Sequence, residues 1–322
     1  MNSKGSSRGA SNLQKLGTER SNIRSANLDT KSALQIARLI NAEDAKVALA
    51  VKHALPQIAK AIDIIAKGLK RGGRLIYVGA GTSGRIAALD AAECPPTFHT
   101  RPETVQYVMA GGSAALGAAV EASEDSRDIG ARDMASRKPG KNDVVVGIAA
   151  SGRTPYTIAA VQYARQRGAK TVAVTCNPNS ALEKAAHLAV VVDVGPEVLA
   201  GSSRMKAGSA QKMVLNMLST GAMVRLGYVF GNLMVNVQVK NQKLLERGIS
   251  ILQQITKANR ATAARVLGAA NHRVPVALVM LLSGVGRSAA ERVLRDTGGH
   301  VRQAIAEAMK PALPIRKKVR AK

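Results

Sequence analysis

The sequence predicts an α/β protein: a three-layer α/β/α sandwich built on a parallel five-stranded sheet, followed by a small C-terminal helical domain. Five short runs rich in Val and Ile recur between residues 74 and 194, near-continuously apolar, as strands buried on both faces are. Stretches of helix length separate these runs, which requires right-handed crossovers and a sheet covered by helices on both sides.

From Asp29 to Lys70 the pattern is helical. Leu34, Ala37, Leu39 and Ile40, then Val47, Leu49 and Val51, then Ile58, Ile62 and Ile65 recur at three- to four-residue spacing, and Pro56 opens a new helix. Arg71-Gly72-Gly73 is a turn signal ahead of the first strand, residues 74–78, which runs into the glycine-rich loop Gly79 to Arg85. The next helix is expected to stop at Pro95-Pro96, because proline lacks the N–H that a helix interior needs. The remaining strands are expected at 104–109, 143–149, 170–175 and 188–194, and a long apolar helix at 210–224. Beyond Gly248 come short helices punctuated by Gly268, Gly284, Gly286, Gly298 and Gly299; residues 276–282 have strand-like composition but fall within that helical region. The expected organisation is a basic, disordered tail at 1–24, an α/β domain with N-terminal helices at 25–248, a helical domain at 249–308 and a second basic tail at 309–322.

Composition narrows the function. Cys94 and Cys176 are far apart and in no metal-ligand spacing, so neither a disulfide framework nor a zinc site is expected. The N-terminus has no apolar h-region, and no segment reaches the roughly 18 apolar residues of a membrane span, so a cytoplasmic protein with no membrane partner is expected. The formal charge of +26 raises a polyanion partner. Much of it sits in the tails, as Lys4, Arg8, Lys15, Arg20 and Arg24 at one end and Lys310, Arg316, Lys317, Lys318, Arg320 and Lys322 at the other. With aromatics at 2% and no Trp, stacking platforms are scarce, and nucleic acid is not expected as a partner.

Three loops share a chemistry. Gly79 to Arg85, Ser151 to Thr154 and Gly201 to Lys206 each join glycine, hydroxyls and a cation ahead of a helix, and ligands of open parallel sheets bind at that edge. Backbone N–H groups at helix N-termini favour anions, and hydroxyls donate to phosphate oxygens. Thr82, Ser83, Ser151, Thr154 and Ser203 are therefore candidate substrate and phosphate ligands, with Lys206 supplying charge. Gly79, Gly81 and Gly84 mimic a dinucleotide fingerprint, but the second strand offers Gln106, Tyr107, Val108 and Met109 where an acid should hold the ribose, and Asp90 and Glu93 come too early. No Walker loop occurs, and no cofactor is expected. His53, His99, His187, His272 and His300 show no ligand spacing, so no metal is expected, and a Ser-His hydrolase lacks its elbow.

Two acids stand out. Glu93 precedes Pro95-Pro96, which fixes its position. Glu121 and Glu124 are three apart and share a helical face, although spacing alone favours a solvated acidic turn paired with Arg127 and Arg132.

The strings Gly-Ala-Gly-Thr-Ser-Gly-Arg at 79 to 85, Ala-Glu-Cys-Pro-Pro at 92 to 96, Glu-Asp-Ser-Arg at 124 to 127, Ala-Ser-Gly-Arg-Thr-Pro-Tyr at 150 to 156, Gly-Ser-Ser-Arg-Met-Lys-Ala-Gly at 201 to 208 and Val-Phe-Gly-Asn-Leu-Met-Val at 229 to 235 together resemble the N-acetylmuramic acid 6-phosphate etherases. The resemblance runs from about Thr18 to Ile305 and leaves the basic tails unexplained. It implies a sugar-isomerase (SIS) domain homodimer that cleaves the D-lactyl ether of its amino-sugar phosphate, without a metal, in peptidoglycan recycling. It also implies that Glu93 is the general acid and Glu124 the general base; desolvation beside Pro95-Pro96 is the expected reason for Glu93 to hold its proton. Rival readings are a non-catalytic sugar-phosphate-sensing regulator, an aldose–ketose isomerase, which needs no leaving-group acid, and an SIS transcription factor, for which residues 1–70 leave little room.

Overall fold

The computed structural model describes residues 16–118, 123–237, 239 and 241–310, so Glu121, most of the N-terminal tail and nearly all of the C-terminal one lie outside the described residues. Three helices come first: α1 (Ala33–Asp44), opened by a reciprocal Ser32–Gln35 capping box, α2 (Val47–His53) and α3 (Leu55–Lys70), with Pro56 in its first turn. The α/β region then runs β1 (Leu75–Gly79), α4 (Gly81–Phe98), β2 (Val105–Met109), α5 (Arg127–Ser136), β3 (Val144–Ile148), α6 (Pro155–Gln166), β4 (Lys170–Thr175), α7 (Ala181–Ala185), β5 (Leu188–Val191) and α8 (Lys206–Arg225). All five expected strands form, in the order β2-β1-β3-β4-β5, every pair parallel.

The order reverses at β1, whose neighbours are β2 on one side and β3 on the other. Gly79 is in register with both Met109 and Ile148, so the loops after β1 and β3 leave the sheet level with one another and part at a switch point. One face of the sheet is filled by Ile76, Val78, Val145, Tyr156, Val161 and Leu182. The other is covered by α3 and α8, whose Ile58, Ile65, Leu215 and Leu218 are buried. Under them lies a polar knot: Tyr77 Oη donates to Asp90 Oδ2 at 2.8 Å, and Asn216 Nδ2 (2.8 Å) and Ser219 Oγ (3.1 Å) donate to Oδ1. Asp90 is thus absorbed by packing, its pKa pushed up by burial despite these donors.

Three expectations are corrected. The helix of Glu93 does not stop at Pro95-Pro96 but continues to Phe98; proline's own φ is helical, and close to the helix end the two missing donors and the crowding of the rings against the preceding turn are tolerated. The described end of the N-terminal tail is ordered: Gly17–Glu19 and Ile23–Ser25 form short 3-10 turns, and Thr18 and Asn22 are buried. The chain divides after Arg225 rather than at residue 248. The second unit, Pro96–His99 with Leu226 onward, has its own core, in which Val235 and Val237 join Leu252, Leu267 and Leu278, so the segment ahead of residue 248 packs with the helices that follow it. Those helices are α9 (Gln242–Thr256), α10 (Arg260–Ala269), α11 (Val274–Ser283), α12 (Arg287–Asp296) and α13 (Val301–Ala308); residues 276–282 are helical, as expected.

Candidate active site

A cavity of about 340 Å³ opens at the switch point, at the small end of the range of small-molecule sites. Thr82, Ser83, Ser151, Thr154, Ser203 and Glu124 all line it, with Arg85 and Glu19. Gly81 starts α4 in the left-handed region (φ +53°), and a Cβ there would stand 3.0 Å from Glu124 Oε1. Glycine thereby lets the carboxylate approach the N-terminus of α4. Glu124 is half-buried on the loop before α5, and its carbonyl accepts from the Tyr156 N–H (3.1 Å), which ties that loop to the start of α6. Of the arginines expected to pair with that turn, Arg127 donates to Gln162 (2.6 Å) and Arg132 to Asp133 (3.4 Å).

The hydroxyls come from separate loops. Ser83 Oγ is buried and donates to Gln211 Oε1 at 2.9 Å; Gln211, on α8, is a site residue that no local pattern marks. Gly152 (φ +66°) turns the chain after Ser151, and a Cβ there would lie 2.4 Å from Ser180, so only glycine fits. Thr154 stands at the N-cap of α6 yet makes no side-chain cap bond, which leaves its hydroxyl to the cavity. Ser203 sits in the turn before α8, its carbonyl accepting from Gly208 N–H at 3.0 Å.

Lys206 does not line the cavity, and this corrects its expected role. Its side chain is 2% exposed and donates to Glu43 Oε2 at 2.8 Å, and Lys46 also pairs with Glu43. Glu197 takes the N–H groups of Lys206 (2.9 Å) and Ala207 (2.8 Å), so the protein's own carboxylate fills the anion site of α8. Among the described residues Arg85 is the cation that lines the cavity; its guanidinium also clamps the carbonyls of Leu116 (3.2 Å) and Ala118 (2.8 Å). Burial pushes the Glu43 carboxyl up, but hydrogen bonds and charge from Lys206 and Lys46 outweigh it and hold it at about 2, below its ordinary 4.5. That depressed value stabilises the fold above about pH 4.5, and the contribution is lost as pH falls toward 2. Lys206→Met, which leaves Lys46 as the partner of the buried Glu43 carboxylate, is expected to cost up to about 3–5 kcal/mol in denaturant unfolding at pH 7, and adding Glu43→Gln should recover much of it.

Glu93 is not brought to Glu124 within one chain. It lies twelve residues along α4 from Gly81, about 18 Å at 1.5 Å per residue, and it is exposed, so one chain does not supply the desolvation expected beside Pro95-Pro96. Leu89, one turn earlier on the same face of α4, is 52% exposed.

Parallel sheet, switch-point cavity and hydroxyl-rich loops define an SIS-domain protein. The SIS domain family matches residues 128–221, the glucokinase regulatory protein N-terminal SIS domain residues 57–165, and the C-terminal lid domain of glucokinase regulatory protein residues 231–273. The chain is 49% identical over 293 residues to the N-acetylmuramic acid 6-phosphate etherase of Klebsiella aerogenes, spanning 91% of this chain and 98% of the relative. It is 47% identical over 296 residues to that of Clostridium beijerinckii, spanning 92% and 97%. It belongs to the N-acetylmuramic acid 6-phosphate etherase family. Among solved structures, a phosphoheptose isomerase from Francisella tularensis is similar at 20% identity and a TM-score of 0.47, over 60% of this chain and 98% of that one. Among the described residues no single helix is long and apolar enough to cross a membrane.

Proposed function

We propose that the chain cleaves the D-lactyl ether of N-acetylmuramic acid 6-phosphate, giving N-acetylglucosamine 6-phosphate and D-lactate, and that it does so in cell-wall recycling in the cytoplasm. The observation that carries this reading is the carboxylate of Glu124 set against the N-terminus of α4, in one cavity with hydroxyls from three loops. The hydroxyls of Ser151, Thr154 and Ser203, the first N–H groups of α4 and the Arg85 charge suit a phosphate, while Ser83, its proton given to Gln211, ties the loop after β1 to α8.

An alkyl ether is inert until the neighbouring carbon can become an anion. The open-chain sugar has an aldehyde at C1, which acidifies the C2 proton. Glu124 takes that proton, the electron pair forms the C2=C3 bond, and the C3–O bond breaks. Lactate leaves with its ether oxygen and takes a proton from an acid. Water then adds across the double bond, hydroxyl to C3 and proton to C2.

The acid in this reading is Glu93, delivered by a second copy of the chain. With about 18 Å of α4 between the cavity and Glu93, Glu93 of the same chain does not reach the substrate that Glu124 serves. A homodimer is supported by the apolar groove of about 650 Å³ on α3 and α8, lined by Leu55, Ile58, Ile62, Met213 and Met217, and by the exposed Leu89 beside Glu93. The purified protein is expected to release D-lactate from N-acetylmuramic acid 6-phosphate; saturable binding without lactate would leave a sugar-phosphate sensor instead.

A further inference from the structure

Glu19 lines the same cavity as Glu124, and the reaction above does not use it. It arrives from far away in sequence, on the Gly17–Glu19 turn, and the chain secures it on both sides. Thr18 is 1% exposed; its Oγ1 accepts from Asn177 Nδ2 (3.1 Å) and its carbonyl from Gly201 N–H (3.3 Å). Three residues on from Glu19, Asn22 Nδ2 donates to the Pro196 carbonyl (3.3 Å), and its Oδ1 accepts from Arg24 N–H (3.0 Å). The strap is thereby pinned to the end of β4 and to the loop that carries Ser203.

Glu19 Oε2 stands 3.3 Å from where a Cβ on Gly201 would be, whereas Glu124 Oε1 stands at Gly81. The two acids therefore belong to different walls of the cavity. Glu19 is half-buried, and among the described residues no hydrogen bond or ion pair reaches its carboxylate. Without a ligand, water satisfies such an acceptor, and a ligand that displaces this water must bring donors of its own. Ionised phosphate has none and is repelled by the charge. A sugar chain has hydroxyl donors, and an amino sugar adds an acetamido N–H.

We infer that Glu19 is a positioning residue that accepts a hydrogen bond from the hydroxyl or acetamido groups of the sugar. It holds the chain so that C2 faces Glu124 while the phosphate lies against the hydroxyl loops. The inference rests on the etherase reading for the identity of the sugar.

The test compares wild type, Glu19→Ala and Glu19→Gln in lactate release and in calorimetric binding of N-acetylglucosamine 6-phosphate and of inorganic phosphate, with thermal melting as the check on folding. A charged hydrogen bond lost predicts a KM for the ether substrate, and a Kd for N-acetylglucosamine 6-phosphate, raised about tenfold to a hundredfold in Glu19→Ala. Glu19→Gln, which keeps an acceptor oxygen, should recover part of this, and the Kd for inorganic phosphate should stay the same or tighten. Unchanged sugar-phosphate affinity overturns the inference. So does a parallel loss of phosphate affinity, which marks a disturbed loop. If wild type binds N-acetylglucosamine 6-phosphate but releases no lactate, the etherase reading fails and the Kd comparison still decides the role of Glu19.

Discussion

Glu124→Gln is expected to lower lactate release by about 10²–10⁴-fold, the usual contribution of a positioned general base. The amide keeps the shape of the side chain but cannot take the C2 proton. Because the phosphate donors lie on α4 and on the loops after β3 and before α8, affinity for N-acetylglucosamine 6-phosphate should hold within a few-fold, as measured by calorimetry. A parallel fall of rate and affinity would instead make Glu124 a binding group.

The second large effect concerns where the acid comes from. Glu93→Ala and Glu124→Ala homodimers should each be nearly inactive. If one copy supplies Glu93 and the other Glu124, a heterodimer of the two variants retains one intact site. Random reassociation makes about half the dimers heterodimeric, so a refolded equimolar mixture should regain about a quarter of wild-type activity. Were both carboxylates drawn from the same chain, every site would carry a lesion and mixing would restore nothing. The second outcome conflicts with the length of α4 between Gly81 and Glu93.

The sheet was legible because its signal is local. Strands buried on both faces must be near-continuously apolar, and Leu75–Gly79, Val144–Ile148 and Lys170–Thr175 all lie within one residue of the expected runs. The three hydroxyl loops were legible for a related reason: a parallel sheet sends all its βα turns to one edge, so Thr82, Ser83, Ser151, Thr154 and Ser203 had to gather there. What stayed hidden depends on partners remote in the chain. Lys206 looks like a phosphate cation in its own loop, but its partner is Glu43, 163 positions away. Gln211 reaches Ser83 across 128 positions, and Glu19 reaches the cavity through the buried Thr18–Asn177 contact.

Glu93 was hidden differently. Its motif resembles that of the family's acid, yet the distance along α4 that separates it from Glu124 follows only once the helix is seen to begin at Gly81 and to pass through Pro95-Pro96. Likewise the division after Arg225 follows from Val235 and Val237 packing with Leu252 and Leu267, a tertiary preference that local periodicity does not carry.

The proposed reaction is elimination across C2 and C3 of an amino-sugar phosphate. It is tested most directly by incubating the protein with N-acetylmuramic acid 6-phosphate in deuterated water and following D-lactate together with deuterium at C2 of the sugar product. One lactate per sugar product and one solvent deuterium at C2 of each are expected. Lactate formed with the original C2 proton retained would mean that the ether is broken without a C2 anion, and would contradict it.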